Sequence, residues 1–183
     1  MTIIYSNFWD VDTSSMPLLW RNLPNANVVE ITPDMIDVYE DIVDNAISQE
    51  EDTIIFCGHG TSNGLLFPDF SRGIYLLHEN NINLIKARNI VGIWCYASSF
   101  ASFYNLRGFF TSMFISNINE AYDNGFYNAS QDDINRISES FYARANELLI
   151  SNEPVNQWQI LIGCQVDLDD EIQTFNYQGL VNF

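Results

Sequence analysis

The sequence predicts an α/β fold built on a doubly wound, mainly parallel sheet with helices on both faces. Short runs rich in β-branched and aromatic residues alternate along the chain with segments whose apolar residues recur at helical spacing. Two of the runs, Thr53–Cys57 and 89–95, are almost continuously apolar, which is typical of strands buried on both faces of a parallel sheet. Successive parallel strands are joined by right-handed crossovers, which distribute helices over the sheet. A chain of 183 residues is expected to form one domain, 1–183.

The predicted strands have high β-propensity and lie between polar or glycine-containing segments. They cover 2–8, Asn27–Ile31, Thr53–Cys57, 89–95 and 109–116. Gly58-His59-Gly60 ends the third strand. The short runs 64–67 and 73–77 predict a small hairpin, and the tail 173–183 predicts an edge strand.

The predicted helices begin at capping residues. Thr32-Pro33 resembles an N-cap followed by proline, and apolar side chains then recur at helical spacing from Met35 to Ile47. Ser130 precedes a longer helix that runs to about Ser151. Further helices are predicted at 16–23, 81–87 and 96–106, whereas the apolar segment 157–165 fits either a helix or a strand.

The charge balance is strongly acidic, with 24 acidic residues, 7 basic residues and a net charge of −17. Such a protein repels phosphate backbones and anionic membrane surfaces, so neither nucleic acid nor membrane is expected as a partner. The charge serves either solubility or the attraction of cationic substrates, and the sequence leaves both readings open. Nothing in the sequence indicates an oligomeric state.

The motifs of cofactor and metal sites are missing from the sequence. The three cysteines, Cys57, Cys95 and Cys164, form no C-x-x-C pair and no disulfide framework, and no glycine-rich phosphate loop opens a helix. We therefore expect neither a metal nor a cofactor. The first residues lack the pattern of a signal peptide and no apolar run reaches the ~20 residues of a membrane span, so a cytoplasmic protein is expected.

Two predicted strands end in reactive side chains. His59 follows Thr53–Cys57, and Cys95 ends the strand 89–95. If these strands are parallel neighbours, both side chains emerge at the edge of the sheet where ligands bind. An imidazole lowers the pKa of a neighbouring thiol or takes its proton as attack begins, and the dipole of the helix 96–106 would further stabilise a thiolate. The pattern predicts Cys95 as nucleophile, His59 as base, and the backbone N–H groups of Gly60 and Cys95 as oxyanion donors.

An apolar strand ending in His59-Gly60, followed some tens of residues later by an apolar strand ending in Cys95, resembles the pattern of the caspase-like cysteine peptidases. That group includes caspases, metacaspases, separases, gingipains, clostripain and the bacterial CHAT domains. The resemblance covers roughly 51–124. It implies a caspase-like three-layer sandwich and a cysteine endopeptidase with His59 and Cys95 as the dyad and Gly60 at the oxyanion hole. The group also suggests a bacterial setting of regulated proteolysis.

The expected substrate is a protein or peptide, and the acidic composition favours a basic residue at its P1 position. The acidic P1 preference of caspases needs arginines in the pocket, and no arginine adjoins either motif. Candidate pocket acids are Asp69, in the loop after His59, and Glu120 and Asp123, beyond the strand 109–116. Asn63 is a further candidate for substrate contact. Each of these residues also fits the role of a solvated surface group.

Two other functions remain open. The first is a catalytically inactive caspase-like module that binds a protein partner through the same cleft, which Trp94 favours because many members of the group have a small residue before the nucleophile. The second is a flavodoxin-like or other doubly wound protein that binds a small ligand where the strand order reverses.

Overall fold

A computed structural model describes residues 1–165, 167 and 170–183 of the chain. Within these residues, the chain forms nine strands, six α-helices and five short 3₁₀ helices. The strands are β1 (Thr2–Ser6), β2 (Asn27–Ile31), β3 (Thr53–Cys57), β4 (Gly60–Thr61), β5 (Gly64–Leu66), β6 (Tyr75–Leu77), β7 (Asn89–Ile93), β8 (Gly108–Thr111) and β9 (Leu180–Asn182). The helices are α1 (Tyr39–Gln49), α2 (Ala97–Tyr104), α3 (Ile118–Asp123), α4 (Gln131–Ile150), α5 (Trp158–Gly163) and α6 (Glu171–Gln178). Short 3₁₀ helices lie at Met16–Trp20, Pro33–Met35, Phe70–Arg72, Ile82–Leu84 and Val155–Gln157.

Six of the described strands form one sheet in the order β2-β1-β3-β7-β8-β9. Its pairs are parallel from β2 to β8, and β9 joins β8 antiparallel at the edge. A second, small antiparallel sheet contains β4, β5 and β6. The predicted α/β class and mainly parallel sheet are therefore confirmed, and the hairpin predicted after His59 is present as β5 and β6.

Alternate residues of the central strands enter different parts of the core, because successive side chains of a strand point to opposite faces. Ile55 and Cys57 of β3 lie in one apolar cluster together with residues of α4 and α5. Ile54 and Phe56 of β3 lie in the other, together with residues of α1 and α2. Both faces of the sheet are thus covered, which explains why β3 is buried along its whole length.

The tail differs from its prediction, because most of the predicted edge strand 173–183 is the helix α6. Asp170 caps this helix by accepting a hydrogen bond from the backbone N–H of Gln173 (3.0 Å). The side chain of Asn176, which is buried, bonds to both the backbone N–H (2.7 Å) and the carbonyl (3.1 Å) of Ile115. Only Leu180–Asn182 remains as the edge strand β9.

The predicted helix 81–87 is reduced to the 3₁₀ turn Ile82–Leu84. Asn81 accounts for this, because its side chain bonds to backbone outside the segment. Its Nδ2 donates to the carbonyl of Leu76 (2.9 Å), and its Oδ1 accepts from the backbone N–H of His78 (3.0 Å). Such local side-chain bonds compete with helix formation.

Other elements keep their predicted positions but differ in extent. The ambiguous segment 157–165 contains the helix α5, and 16–23 forms the 3₁₀ helix Met16–Trp20. The helix expected to begin at Thr32-Pro33 starts only at Tyr39. α3 was not predicted; Asn117 caps it by accepting a hydrogen bond from the backbone N–H of Glu120 (3.0 Å). Among the described residues, none of the helices combines the length and the apolar character that crossing a membrane requires.

The strands that lead to the site end earlier than predicted, at Ser6, Ile93 and Thr111. Trp94 shows why β7 stops. Its backbone N–H donates to Oγ1 of Thr111 (3.1 Å), and the same hydroxyl donates to its carbonyl (2.8 Å). The side chain of Thr111 therefore replaces the backbone partners that a neighbouring strand would supply, and Cys95 lies in a loop beyond the sheet.

Truncation of the Phe141 side chain would test the packing of α4 against the sheet. The ring is fully buried and packs on Phe114 at a centroid distance of 4.9 Å, so Phe141→Ala leaves a cavity and lowers the free energy of unfolding by about 3–5 kcal/mol. Urea unfolding followed by tryptophan fluorescence measures this change. Ile150→Ala is the control on the same helix, because Ile150 is 56% exposed and its truncation should cost less than about 0.5 kcal/mol. Equal effects of the two substitutions would contradict the described packing.

Candidate functional site

His59 and Cys95 lie at the same edge of the sheet, because β3 and β7 are parallel neighbours with Cys57 opposite Ile93. His59 follows Cys57 by two positions, and Cys95 follows Ile93 by two positions. The backbone N–H of Gly58 continues the pairing by donating to the carbonyl of Ile93 (3.2 Å). His59 and Cys95 line a common cavity of about 20 Å³. The adjacency on which the predicted dyad depends is therefore present.

The imidazole of His59 is held by the loop that follows β1. Its Nε2 lies 2.8 Å from Oδ2 of Asp10 and 3.9 Å from Oδ2 of Asp12. The ring also contacts two aromatic side chains, Phe8 edge-on at a centroid distance of 4.7 Å and Phe70 at 5.0 Å. The side chain of His59 is only 15% exposed, so these contacts with one acid and two aromatic rings restrict the orientation of the imidazole.

The carboxylate of Asp10 is itself fixed by its own loop. Its Oδ1 accepts hydrogen bonds from the backbone N–H (2.9 Å) and the hydroxyl (2.7 Å) of Thr13. Partial burial alone would raise the pKa of Asp10, but the hydrogen bonds from His59 and Thr13 outweigh it and lower the pKa to about 2. Asp10 is therefore ionised at neutral pH and can orient His59.

The contact between Asp10 and His59 lies at the point in the sheet where the order of the strands reverses. β1 pairs with β2 on one side and with β3 on the other, so the loops after β1 and β3 leave neighbouring strands where the strand order changes. Crevices outside the carboxyl ends of strands at such points are where open α/β sheets bind ligands. The position in the fold thus agrees with a functional site.

The thiol of Cys95 is partly buried and protonated at neutral pH. Burial raises its pKa to about 12, and the negative charges of Glu120 and Asp12 add to the rise, while Sγ donates a weak hydrogen bond to the carbonyl of Phe114 (3.6 Å). The lowering of this pKa that the sequence predicted from the imidazole and the helix dipole is therefore absent. The other route remains, in which a base removes the proton during attack.

Glu120 is the acid whose negative charge raises the pKa of Cys95 most. Its Oε2 accepts hydrogen bonds from the backbone N–H (2.8 Å) and hydroxyl (3.0 Å) of Ser116. Burial raises the pKa of Glu120 and, separately, that of Asp12, whose Oδ2 accepts a hydrogen bond from the side-chain amide of Asn117 (2.7 Å). The surroundings of the thiol are consequently acidic.

The remaining predicted residues lie outside the lining of this cavity. Asn63 is at the tip of the hairpin between β4 and β5 and lines a different cavity. Asp69 caps the 3₁₀ turn Phe70–Arg72 and pairs with Arg72 at 2.9 Å. Asp123 is exposed at the end of α3. Of the predicted acids, the structure brings only Glu120 close enough to influence Cys95.

Gly60 and Trp94 form one packing unit. A side chain at Gly60 would begin 2.1 Å from Cδ1 of Trp94, so only glycine fits there. The indole is buried, and its Nε1 donates to the carbonyl of Thr61 (3.0 Å). Trp94, which departs from the pattern of the caspase-like group, therefore connects the end of β7 to β4, the short strand that follows His59.

Sequence reasoning missed Asp10 and Asp12. One signal was available, since both residues follow the first predicted strand, whose carboxyl end lies at the same edge as those of β3 and β7. Together with His59 they offer an imidazole nitrogen and two carboxylate oxygens within 4.8 Å of one another, a donor set that could hold a divalent cation. A cation bound there would take Nε2 of His59 as a ligand, in place of the hydrogen bond that Nε2 now makes with Asp10.

Comparisons of the chain with protein-family models, with curated proteins and with solved structures find no match.

The pKa of Asp10 leads to a pH-dependent expectation for stability. Its folded-state pKa of about 2 lies below the ordinary value of 3.8, so its contribution is present above about pH 4 and is lost as the pH falls towards 2. We expect Asp10→Asn to lower the free energy of unfolding at pH 7 by about 1 kcal/mol, a value discounted for its partial exposure. The comparison is urea unfolding of both proteins at pH 7 and near pH 2.5, where the gap should narrow. Asp123→Asn, on an exposed side chain, is the control, and a gap of the same size at both pH values would refute the assignment.

A second expectation concerns Gly60. Because a methyl group there collides with the indole of Trp94, Gly60→Ala should lower the free energy of unfolding by about 2 kcal/mol. Thermal unfolding followed by circular dichroism measures the change. Gly163→Ala is the matched control, since a methyl group at Gly163 meets nothing within 4 Å and should be tolerated. Wild-type stability of Gly60→Ala would show that the indole can move aside.

Proposed function

We propose that the chain is a caspase-like cysteine endopeptidase in which His59 and Cys95 form the catalytic dyad. The observation that carries the proposal is that both residues follow adjacent parallel strands and line the same cavity. A mainly parallel sheet with helices packed on both faces supports the three-layer caspase-like architecture that the sequence resemblance implies. The substrate class is a protein or peptide.

Asp10 completes the dyad as a positioning residue. In a neutral imidazole one nitrogen carries the proton and the other accepts one. With the Nε2 proton directed at Asp10, Nδ1 is the nitrogen that takes a proton from the thiol of Cys95. The carboxylate fixes the tautomer and stabilises the imidazolium that forms, as an acid does in other nucleophile–histidine sites.

The reaction then follows acyl transfer. Sγ of Cys95 attacks the scissile carbonyl as its proton passes to His59, and the backbone N–H of Gly60 donates to the developing oxyanion. Collapse of the tetrahedral intermediate breaks the C–N bond, and the imidazolium returns its proton to the departing amine. A water molecule, deprotonated by His59, hydrolyses the thioester and restores the thiol.

The acids whose charges act on Cys95 support a basic residue at P1. Asp12 and Glu120 both influence the charge around Cys95, and neither an arginine nor a lysine is among the described residues that line the cavity. A cationic side chain relieves the repulsion between carboxylates, whereas an acidic one increases it. At about 20 Å³ the cavity has room for little more than one water, so a P1 side chain enters only when its walls, such as Met16, move.

A peptide probe tests the proposal directly. We expect an acyloxymethyl ketone with arginine at P1 to modify Cys95, and to do so at least tenfold faster than its aspartate counterpart. Mass spectrometry locates and times the adduct. His59→Gln should reduce the rate by about 100-fold or more, because a positioned base contributes that much.

The controls separate chemistry from folding. Cys164→Ser removes an exposed thiol and should leave the modification of Cys95 unchanged. Cys95→Ala should retain the thermal unfolding temperature and lose all cleavage of peptide libraries. Cleavage by Cys95→Ala, or equal modification rates with and without the imidazole, would reject the dyad.

The burial of Cys95 favours a second candidate, a catalytically inactive module that binds a protein partner. Its thiol has a raised pKa in a cavity with little space. Three large exposed side chains belong to the segments that carry this site. Trp9 (67% exposed) precedes Asp10, Phe70 (61%) packs on the ring of His59, and Tyr96 (48%) follows Cys95. Such residues are enriched in protein interfaces. Under this reading neither probe modifies Cys95, and Trp9→Ala weakens the partner complex.

A further inference from the structure

A second pair of cavities lies beside the small antiparallel sheet, apart from the residues that line the His59–Cys95 cavity. The larger cavity measures about 360 Å³ and the smaller about 240 Å³. They adjoin, because Tyr39, Tyr75, His78 and Asn80 line both of them. Together they offer room for a small organic ligand or for a long side chain.

Aromatic rings form much of the lining, and neighbouring groups hold them in place. Tyr39 packs on Phe67 at a centroid distance of 4.9 Å, and its hydroxyl donates to Glu40 (3.0 Å). The hydroxyl of Tyr75 is hydrogen-bonded to that of Thr61 (3.2 Å).

Tyr104 supplies the third ring, at the end of α2. It packs on Phe100 at a centroid distance of 4.8 Å. The three phenol rings are therefore in place before any ligand arrives, which reduces the entropic cost of binding.

The charges in the lining are negative. Glu79 lines the larger cavity, and Glu40 and Asp44 line the smaller one. Among the described lining residues there is neither lysine nor arginine. His78 accepts a hydrogen bond at Nδ1 from the backbone N–H of Asn80 (3.2 Å), an arrangement in which that nitrogen carries no proton. An anion would meet three carboxylates here, whereas a cation is attracted.

We infer that these paired cavities bind a quaternary ammonium group, carried either by a small molecule or by a trimethylated lysine side chain. Tyrosine faces attract a diffuse cation through the quadrupole of the ring, and methyl groups on the cation also make apolar contact with the rings. Small inorganic cations fit less well, because they keep their hydration shell and make no such contact. The inference stands independently of the proposed peptidase function, since it uses none of the residues at His59 and Cys95.

The experiment is a titration of the full chain with tetramethylammonium chloride, followed through the NMR signals of the tyrosine rings. We expect saturable shifts that include Tyr75 and Tyr104. Neopentyl alcohol, a neutral molecule of similar shape, should bind at least about tenfold more weakly, as should sodium at equal ionic strength. Equal binding of the neutral molecule, or shifts that do not saturate, would overturn the inference.

Variants assign the binding to the two cavities. Tyr75→Leu should weaken it about tenfold, whereas Tyr75→Phe retains the ring and should bind as the wild type does. Glu79→Gln, on an exposed side chain, should weaken it several-fold and keeps the test valid if Tyr75→Leu unfolds. Tyr127→Leu, on a tyrosine that is 75% exposed and outside both cavities, is the matched control. A loss in Tyr127→Leu equal to that in Tyr75→Leu would contradict the assignment.

Two further ligands separate the sources of the cation. Tighter binding of choline than of N-acetyl-trimethyllysine amide assigns the site to a small molecule, and the reverse order assigns it to a modified protein. Both orders support a quaternary ammonium site. Failure of both ligands to compete with tetramethylammonium would count against it, whatever the result of the peptidase experiment.

Discussion

The parallel register between β3 and its two neighbours is the constraint on which the candidate site depends. Tyr5 of β1 and Ile93 of β7 both lie opposite Cys57, so three loops leave the sheet at one level. A slip of one residue would exchange the faces to which the β3 side chains point, and burial of both faces opposes such a slip. Asp10, His59 and Cys95 lie at one edge of the sheet because the sheet aligns the ends of the strands that precede them.

One electrostatic field has two consequences at this edge. The negative charges of Glu120 and Asp12, together with burial, disfavour the thiolate of Cys95. The same charges favour a cationic group in the cavity. Under the proposed peptidase function, these charges would keep the thiol of Cys95 protonated at rest, and its reaction would then depend on the base and on a cationic substrate group.

Trp94 differs from the small residue that many members of the caspase-like group have before the nucleophile, and it fits closely into the local structure. Its indole occupies the space that a side chain at Gly60 would need, and the indole N–H donates a hydrogen bond to the carbonyl of Thr61 in β4. This close approach connects the segment after His59 to the end of β7, just before Cys95. The same glycine thus has a packing requirement in addition to any role of its N–H group in catalysis.

The α/β class, the positions of the central strands, the Ser130 cap of α4, and the placement of His59 and Cys95 beyond two strands could all be predicted from the amino-acid sequence. These features follow from local patterns of apolar and capping residues. The tertiary structure was needed to show that Asp10 bonds to His59 and that Cys95 is partly buried near the charges of two carboxylates. It was also needed to show that Asn63, Asp69 and Asp123 lie outside the lining of the cavity. It also decided that the tail is helical, because Asn176 bonds to Ile115. Each of these depends on contacts between segments far apart in the chain, whose distances no local pattern encodes.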